Sequence, residues 1–571
     1  MISVLSTNIT SPLGFTTEEN YQAVLSGASA LKRYEGLWGM PEPFAAALFS
    51  EEQKAMLAIE GYTFFEALAI RSIRKALTYN SLGNDFSRIV LILSTTKGNI
   101  EALGEELYYP SKAAQRIAEA IGLTTKPIVV CNACVSGLSA QLLADRLLSA
   151  NLYDYAIVVG AEVQSKFIVS GFQALKAVSE EPCRPFDIER NGLNPGEAAA
   201  TIVYAKDANK ERWSYYAMTA SKESWHLIDG ATCNDAYHLV TPSPQGEGLL
   251  SAINAAMKGR DKSCLATVNV HGTATLYNDQ MEAVAIQRAD LSDIPLSALK
   301  GYYGHTMGAA GVLETILTMR ATDDGIVLPT KGFTELGVSK DVSISSEPKK
   351  TNKRAFLKVM SGFGGCNVAA LYEKKTDDGL PRIKSAPWCK SIQEQTTGKT
   401  TLIKAHTIRI SSEDGQTLTD IYKQQIGNYP KFYKMDILSR LAFVATELLK
   451  KVSPRGDLEG ASPVIFFNHS SSVVADRVYF DTIRDAENYF PSPSVFVYTL
   501  PNITTGEVAI RHHLCGETSF YILPDKDEAL MQQILEVTVS GSKARSAISG
   551  WVDAESETCF ECDLSMYNII S

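Results

Sequence analysis

The sequence predicts a layered α/β fold in which parallel strands are covered on both faces by helices. Three observations carry this expectation. Short apolar runs at 89–93, from about 128 and at 155–160 are separated by segments of helical periodicity, the alternation expected of buried parallel strands joined by crossover helices. The stretch Val129-Val130-Cys131-Asn132-Ala133-Cys134-Val135-Ser136-Gly137-Leu138 runs from a β-branched segment through small residues into an amphipathic run over 138–148, which reads as strand, elbow and helix. From about residue 211 the same pattern starts again.

Length and composition set the outer bounds. A chain of 571 residues with 45% hydrophobic and 21% charged residues is expected to be a soluble globular protein of two to four domains. Met1-Ile2-Ser3-Val4-Leu5 has no basic flank leading into a long apolar stretch, and no run of about 18 apolar residues could span a bilayer. No membrane span and a cytoplasmic location are expected. Ten irregularly spaced cysteines do not form a disulfide framework and suit a reducing compartment. Cys559 and Cys562 make a CxxC without a second ligand pair, so no metal site is expected there. The net charge of −10 argues against generic nucleic-acid binding, and an acidic partner would need a local basic patch.

Taken in order, residues 62–79 read as a helix, 89–93 as a buried strand and 111–121 as a helix. At the elbow, Cys134 would carry its sulfur at the N-terminal end of a helix, where free N–H groups and the helix dipole favour a thiolate and can hold an oxyanion. A small buried core cysteine is the other reading of such a residue. After the strand at 155–160, the Pro and Gly residues of Cys183-Arg184-Pro185-Phe186-Asp187 and of 190–200 mark tight irregular backbone.

The second half concentrates polar chemistry at strand ends. Val268-Asn269-Val270 runs into His271-Gly272-Thr273-Ala274-Thr275, followed by Asn278, Asp279 and Glu282. A second small-residue elbow over 299–311 carries Lys300 and His305 and leads into a helix at 312–319. The last strand, 356–360, ends in Ser361-Gly362-Phe363-Gly364-Gly365-Cys366-Asn367. Either histidine alone could be a hydrogen-bonded core imidazole. Two of only eight histidines, each at a strand end beside glycines and one of them preceded by a lysine, point to a site.

These motifs, in this order, resemble the β-ketoacyl-acyl-carrier-protein synthases, condensing enzymes of the thiolase superfamily, over residues 1 to about 375. The resemblance rests on the Cys134 elbow, Arg184-Pro185-Phe186-Asp187 with Gly196-Glu197, the His271 loop, the Lys300/His305 loop and the Gly362-Phe363-Gly364-Gly365 turn, with Asp235-Ala236-Tyr237-His238 as a further match. It implies a thiolase-like layered α/β fold of two pseudo-symmetric halves, here 1–210 and 211–375. It also implies decarboxylative condensation with malonyl-acyl-carrier protein, with Cys134 as the acyl-carrying nucleophile and His271 and His305 as donors to the malonyl enolate.

The same resemblance implies an oxyanion site formed by the N–H groups of Cys134 and Phe363, and Phe363 as a gate. Lys300, paired with Glu282, would keep the site positive, and Asp279 and Glu314 would be structural supports. No metal or organic cofactor is implied. The implied partners are an acyl carrier protein and a second synthase subunit, in a homodimer or a heterodimer. A catalytically silent chain-length-type subunit and a non-decarboxylating thiolase-like acyltransferase are the alternatives. Three departures stand out: Ala274 at a glycine position, Ser94-Thr95-Thr96-Lys97-Gly98 in place of a glycine-rich turn, and a short stretch from Thr95 to Cys134.

Residues 376–405 are rich in polar residues with two prolines and read as a linker. The remainder, 406–571, reads as an additional α/β domain resembling a truncated first half, with a helix at 435–451, a strand at 464–467 and Phe496-Val497-Tyr498-Thr499-Leu500-Pro501 before a second elbow. In this alignment Asp525 takes the place of Cys134, so the copy has no nucleophile. It would supply a partner-like surface in cis or attach to the outside of an ordinary dimer. His512 and His513 read as polar loop or strand residues.

Overall fold

The computed structural model describes residues 2–77, 86–206, 223–376, 400–453 and 458–570. Its largest feature is one sheet of 15 strands, assembled from three units of the same design. In the first, β1 (Ile2–Thr10), β2 (Ile89–Ser94), β3 (Ile128–Val130), β4 (Tyr155–Glu162) and β5 (Ala198–Lys206) lie in the order β1-β5-β4-β2-β3. In the second, β6 (Glu223–Asn234), β7 (Leu265–Asn269), β8 (Leu296–Ser297), β9 (Ala355–Gly362) and β10 (Cys366–Thr376) lie in the order β6-β10-β9-β7-β8. The third repeats it with β11 (Thr401–Ser411), β12 (Val464–Asn468), β13 (Thr518–Ile522), β14 (Ser546–Ser556) and β15 (Cys559–Ile570), in the order β11-β15-β14-β12-β13.

In every unit the second strand pairs in parallel with the third and fourth, and the fourth, fifth and first pair antiparallel. The strands β2, β3, β4, β7, β12 and β13 are buried along their whole length. Their continuous apolar runs therefore lie under helices on both faces.

The helices that matter for the site are α1 (Phe64–Ala76), α2 (Pro110–Ala120), α3 (Ser136–Ser149), α4 (Lys166–Ala174), α5 (Leu276–Arg288), α6 (Ala310–Asp323), α7 (Ile437–Val452), α8 (Val473–Asp481), α9 (Ile503–His512) and α10 (Glu528–Val539). Local sequence sets their starts. Thr63 and Glu66 form a capping box at α1, Pro110 opens α2 at a position where its missing N–H costs nothing, and Asp436 caps α7. The helix expected over 62–79 is α1, and residues 78–79 lie outside the described residues. No helix among the described residues is long and apolar enough to cross a membrane.

The third unit docks on the first edge to edge. Tyr521 and Ile522 of β13 pair antiparallel with Val130 and Val129 of β3, and Cys131 N–H donates to the Phe520 carbonyl at 3.1 Å. The ladders place the two units in register. Leu93 pairs with Val129 and Val159 as Phe466 pairs with Phe520 and Gly550, and Leu93, Val129, Phe466 and Phe520 all face the same core. Carried forward from Val129 and Phe520, this alignment keeps Asp525 in the place of Cys134.

Three expectations change. Of the expected linker, 377–399 lie outside the described residues, and β11 has already begun at Thr401. His512 ends helix α9 rather than lying in a loop or strand, with His513 beyond it at φ +54°. Cys559 is exposed and Cys562 buried on β15; an odd spacing on a strand sends the two side chains to opposite faces, so they share no site.

Candidate active site

The site is assembled where α3 and α6 meet head to head. A Cβ on Gly137 would lie 2.8 Å from the Gly308 carbonyl oxygen, and one on Gly311 2.5 Å from the Leu138 nitrogen. Only glycine allows the two helix starts this close. Their contact brings the His305 loop onto the Cys134 elbow. At that elbow the chain leaves β3, passes Ala133 at φ +49°, makes one tight turn over Ala133–Val135 and enters α3. Cys134 is half-buried at the bottom of a pocket that His271, His305, Phe172 and Phe363 also line.

The sulfur of Cys134 and a ring nitrogen from each of His271 and His305 lie within 4.8 Å of one another. The two imidazole rings stand nearly perpendicular, at 81°, with centroids 5.0 Å apart. Met307 N–H donates to His305 Nδ1 at 3.3 Å, which leaves the ring proton on Nε2, and that atom has no partner among the described residues. His271 Nδ1 also has none. Burial, reinforced by the charges of Lys300 and Lys358, holds both imidazoles well below the ordinary histidine range. They are therefore neutral near pH 7 and can donate N–H groups without carrying charge.

The charge pairing differs from the expected one. Lys300 Nζ donates to the His271 carbonyl at 2.5 Å and to Glu314 Oε1 at 2.8 Å. Glu282 instead accepts the backbone N–H groups of His271 and Gly272, each at 2.7 Å, and so shapes the histidine loop. The family resemblance implied Glu282 for this pairing. The fold carries Glu314 on α6 to Lys300. Asp279 accepts from the N–H groups of Phe186 at 2.7 Å and Thr273 at 3.0 Å, a supporting position.

Two participants escaped the sequence reading. Lys358, fully buried, donates to Glu314 Oε2 at 2.6 Å; the signal was a lone lysine inside the apolar strand β9. Glu162 at the end of β4 accepts from the hydroxyls of Thr95 at 2.7 Å and Thr96 at 2.9 Å. It lies against the His305 loop, since a Cβ on Gly308 would sit 2.9 Å from its Oε1.

Burial also corrects the expectation of a thiolate. It pushes the Cys134 thiol up to about 12, and the Lys300 charge opposes this without reversing it. At rest the sulfur is a thiol, so acylation has to remove its proton.

The Phe363 turn closes the pocket from above. A Cβ on Gly362 would lie 3.4 Å from the Cys134 nitrogen, so the turn rests on the elbow. The Phe363 ring centroid is 6.1 Å from that of Phe172, which is 5.4 Å from Phe496 of the third unit. Ala274 has φ +62°, which explains why a glycine would suit its loop. The Cys134, His271 and His305 donors are the one such cluster among the described residues that could hold a metal ion. A soft ion would compete there with any acyl group for the sulfur.

Two family models match the chain: "Beta-ketoacyl synthase, N-terminal domain" over residues 82–209 and "Beta-ketoacyl synthase, C-terminal domain" over 227–334. A 3-oxoacyl-[acyl-carrier-protein] synthase 2 of Mycobacterium leprae (strain TN) is 29% identical over 286 residues, covering 48% of this chain and 66% of the relative. The tetracenomycin polyketide synthase ketoacyl synthase alpha subunit of Streptomyces glaucescens is 28% identical over 279 residues, covering 47% and 64%. The chain thus spans about two thirds of the length of these relatives. In fold, the crystal structure of a beta-ketoacyl synthase from Burkholderia phymatum STM815 covers 66% of this chain and 99% of its own, at TM-score 0.59 and 23% identity. The structure described as PfaC keto synthase-chain length factor covers 99% of this chain and 78% of its own, at TM-score 0.78 and 13% identity. That likeness of fold includes the third unit.

Proposed function

From the premise that residues 82–209 and 227–334 carry the two beta-ketoacyl synthase domains, we propose that this protein is a β-ketoacyl-acyl-carrier-protein synthase that condenses an acyl-Cys134 intermediate with malonyl-acyl-carrier protein. The observation that carries this reading is the convergence of one thiol and two neutral, N–H-donating imidazoles on a single pocket. The chemistry of this reading is carried by side chains and backbone N–H groups.

The geometry supports a two-stage reaction. In the first stage the Cys134 sulfur attacks the thioester carbonyl of the acyl donor. Its proton passes by way of a neutral imidazole to the departing carrier thiol, and the acyl group stays on sulfur. In the second, the bond from the malonyl α-carbon to its carboxylate breaks, carbon dioxide leaves and the electron pair becomes an enolate. His271 and His305 donate to the enolate oxygen. The carbon attacks the acyl-Cys134 carbonyl, the N–H groups of Cys134 and Phe363 hold the oxyanion, and the sulfur leaves and regains a proton. Lys300 and Lys358, bridged by Glu314, keep the imidazoles neutral and support the loop that carries His271.

The third unit, 406–571, is read as a degenerate synthase half. It repeats the strand order of the first unit, has Asp525 in the place of Cys134, and occupies the β3 edge in cis. A partner subunit is thereby replaced, at that edge, by the chain itself. Phe496 and Tyr479 of the third unit pack against Phe172 and Phe167, and Phe172 lines the pocket, so the third unit backs the pocket wall from behind. This favours a specialised acyl product over ordinary fatty-acid elongation. A silent chain-length role for the whole chain is disfavoured by the intact Cys134, His271, Lys300 and His305.

Intact-protein mass after incubation with a panel of acyl-carrier thioesters tests the reading. A single acyl adduct on the wild type that is lost in Cys134→Ala supports it and reports the preferred chain. Folded wild-type protein that takes no adduct from any donor refutes it.

A further inference from the structure

The third unit reaches both backbone segments that flank the nucleophile. At the elbow, Phe520 N–H donates to Asn132 Oδ1 at 2.7 Å. At the turn opposite, Asn502 Nδ2 donates to the Phe363 carbonyl at 2.9 Å. Asn234 Nδ2 donates to the Gly364 carbonyl at 2.8 Å and to Thr518 Oγ1 at 2.9 Å. Helix α9 lies directly on the turn, because a Cβ on Gly506 would sit 2.8 Å from the Gly364 oxygen. Asn502 is fully buried, and its Oδ1 has no partner among the described residues. Its amide is thus oriented by what Nδ2 meets, and the short partner there is the Phe363 carbonyl.

We propose that Asn502 is a positioning residue for the oxyanion site, fixing the Phe363 carbonyl from the third unit and thereby aiming the Phe363 N–H at the acyl-Cys134 carbonyl. Gly364 and Gly365 have φ of +86° and +75°, a backbone that relies on its hydrogen bonds to stay in place. Gly364 N–H, in the same peptide as the Phe363 carbonyl, donates to the Leu239 carbonyl at 2.7 Å, and Asn502 holds the carbonyl end of that peptide. With both ends of the peptide held, the Phe363 N–H can move only through φ and ψ of one residue, and donors held before the reaction are those that lower its barrier. The third unit, itself without a nucleophile, would then act on the rate through one hydrogen bond. The inference rests on the reading of Phe363 as an oxyanion donor.

The test compares the full-length wild type with Asn502→Ala and Asn502→Asp by single-turnover acylation, steady-state condensation and backbone hydrogen exchange over residues 361–366. Asp keeps the shape of Asn but sets an acceptor against the Phe363 carbonyl. The expected result is a fall in kcat of about ten-fold or more for both variants, with KM nearly unchanged, and faster exchange over the turn. Asn502→Asp should recover activity as pH falls and its protonated carboxyl becomes a donor; the wild type should not. A side chain that merely fills space would treat Asp like Asn. The proposal is overturned if kcat of Asn502→Asp stays within two-fold of the wild type across pH, or if exchange over the turn is unchanged in both variants. A wild type that takes no acyl adduct refutes the function proposed above, whereas unchanged exchange refutes the role of Asn502 alone.

Discussion

Lys358 Nζ lies 2.6 Å from Glu314 Oε2, with both side chains buried, and the other oxygen of the same carboxylate takes Lys300 at 2.8 Å. One carboxylate therefore neutralises two buried ammonium groups, and the two lysine charges hold Glu314 ionised against the cost of its burial. The consequences of removing each member are unequal. Glu314→Leu leaves two uncompensated buried cations and should destabilise the protein by about 3–5 kcal/mol. Lys358→Met leaves Glu314 its pair with Lys300 and should cost about 1–3 kcal/mol. Urea unfolding at neutral pH gives the order, and a Lys358→Met variant less stable than Glu314→Leu would contradict the arrangement.

Neutral imidazoles predict a flat pH dependence. Because burial and the two lysines hold His271 and His305 well below the usual histidine range, neither changes charge between about pH 6 and about pH 8. Carbon dioxide release should therefore show no histidine limb in that window. His271→Ala and His305→Ala should each slow it by about 100-fold or more, while loading of Cys134, whose proton passes through a single imidazole, should survive in at least one of them. Loss of loading in both variants would contradict that division of roles.

Glu162 is a buried carboxyl whose pKa burial raises to about 7, against hydrogen bonds from Thr95 and Thr96 that pull it down. The sign follows from linkage. Between the ordinary value of 4.5 and about 7 the folded protein holds a proton that the unfolded chain has released, so this contribution to stability is full below 4.5 and lost as pH rises through 7. Glu162→Gln carries no such dependence. Relative to the wild type it should gain roughly 3 kcal/mol over that interval. Denaturant midpoints for the pair at about pH 5 and pH 7.5 measure the difference, and a constant offset would show that Glu162 is ionised throughout.

The third unit is pinned by a buried ion pair. Lys97 Nζ lies 2.7 Å from Asp476 Oδ1, with side chains 4% and 1% exposed, and Tyr108 donates its hydroxyl proton to Asp476 Oδ2 at 2.5 Å. Asp476→Leu strands the Lys97 charge and should cost about 3–5 kcal/mol. The double variant Lys97→Met/Asp476→Leu should recover at least half of that loss. If the double variant is no more stable than the single one, the pair does not act as a unit.

The chemistry-bearing residues were legible because their signals are local. A β-branched run, a small-residue elbow and an amphipathic helix announced Cys134, and histidines beside glycines at strand ends announced His271 and His305. The restarts of the α/β pattern near 211 and beyond 406 were legible for the same reason, because a buried parallel strand and its crossover helix leave their periodicities in consecutive residues.

What the sequence by itself determined was the kind of fold, the order of its motifs and the residues that meet in the pocket. Tertiary structure alone decided which charge serves which: Glu314 rather than Glu282 takes Lys300, and Lys358 joins from the middle of a strand. It also seated Asn502 on the Phe363 turn. These relationships join distant segments. They depend on how helices and strands pack and on where each ladder begins, and residue spacing along the chain encodes neither. Burial decided the protonation of the site in the same way. The sequence supplied a thiol and two imidazoles, and removing them from water made one a thiol at rest and the others neutral donors.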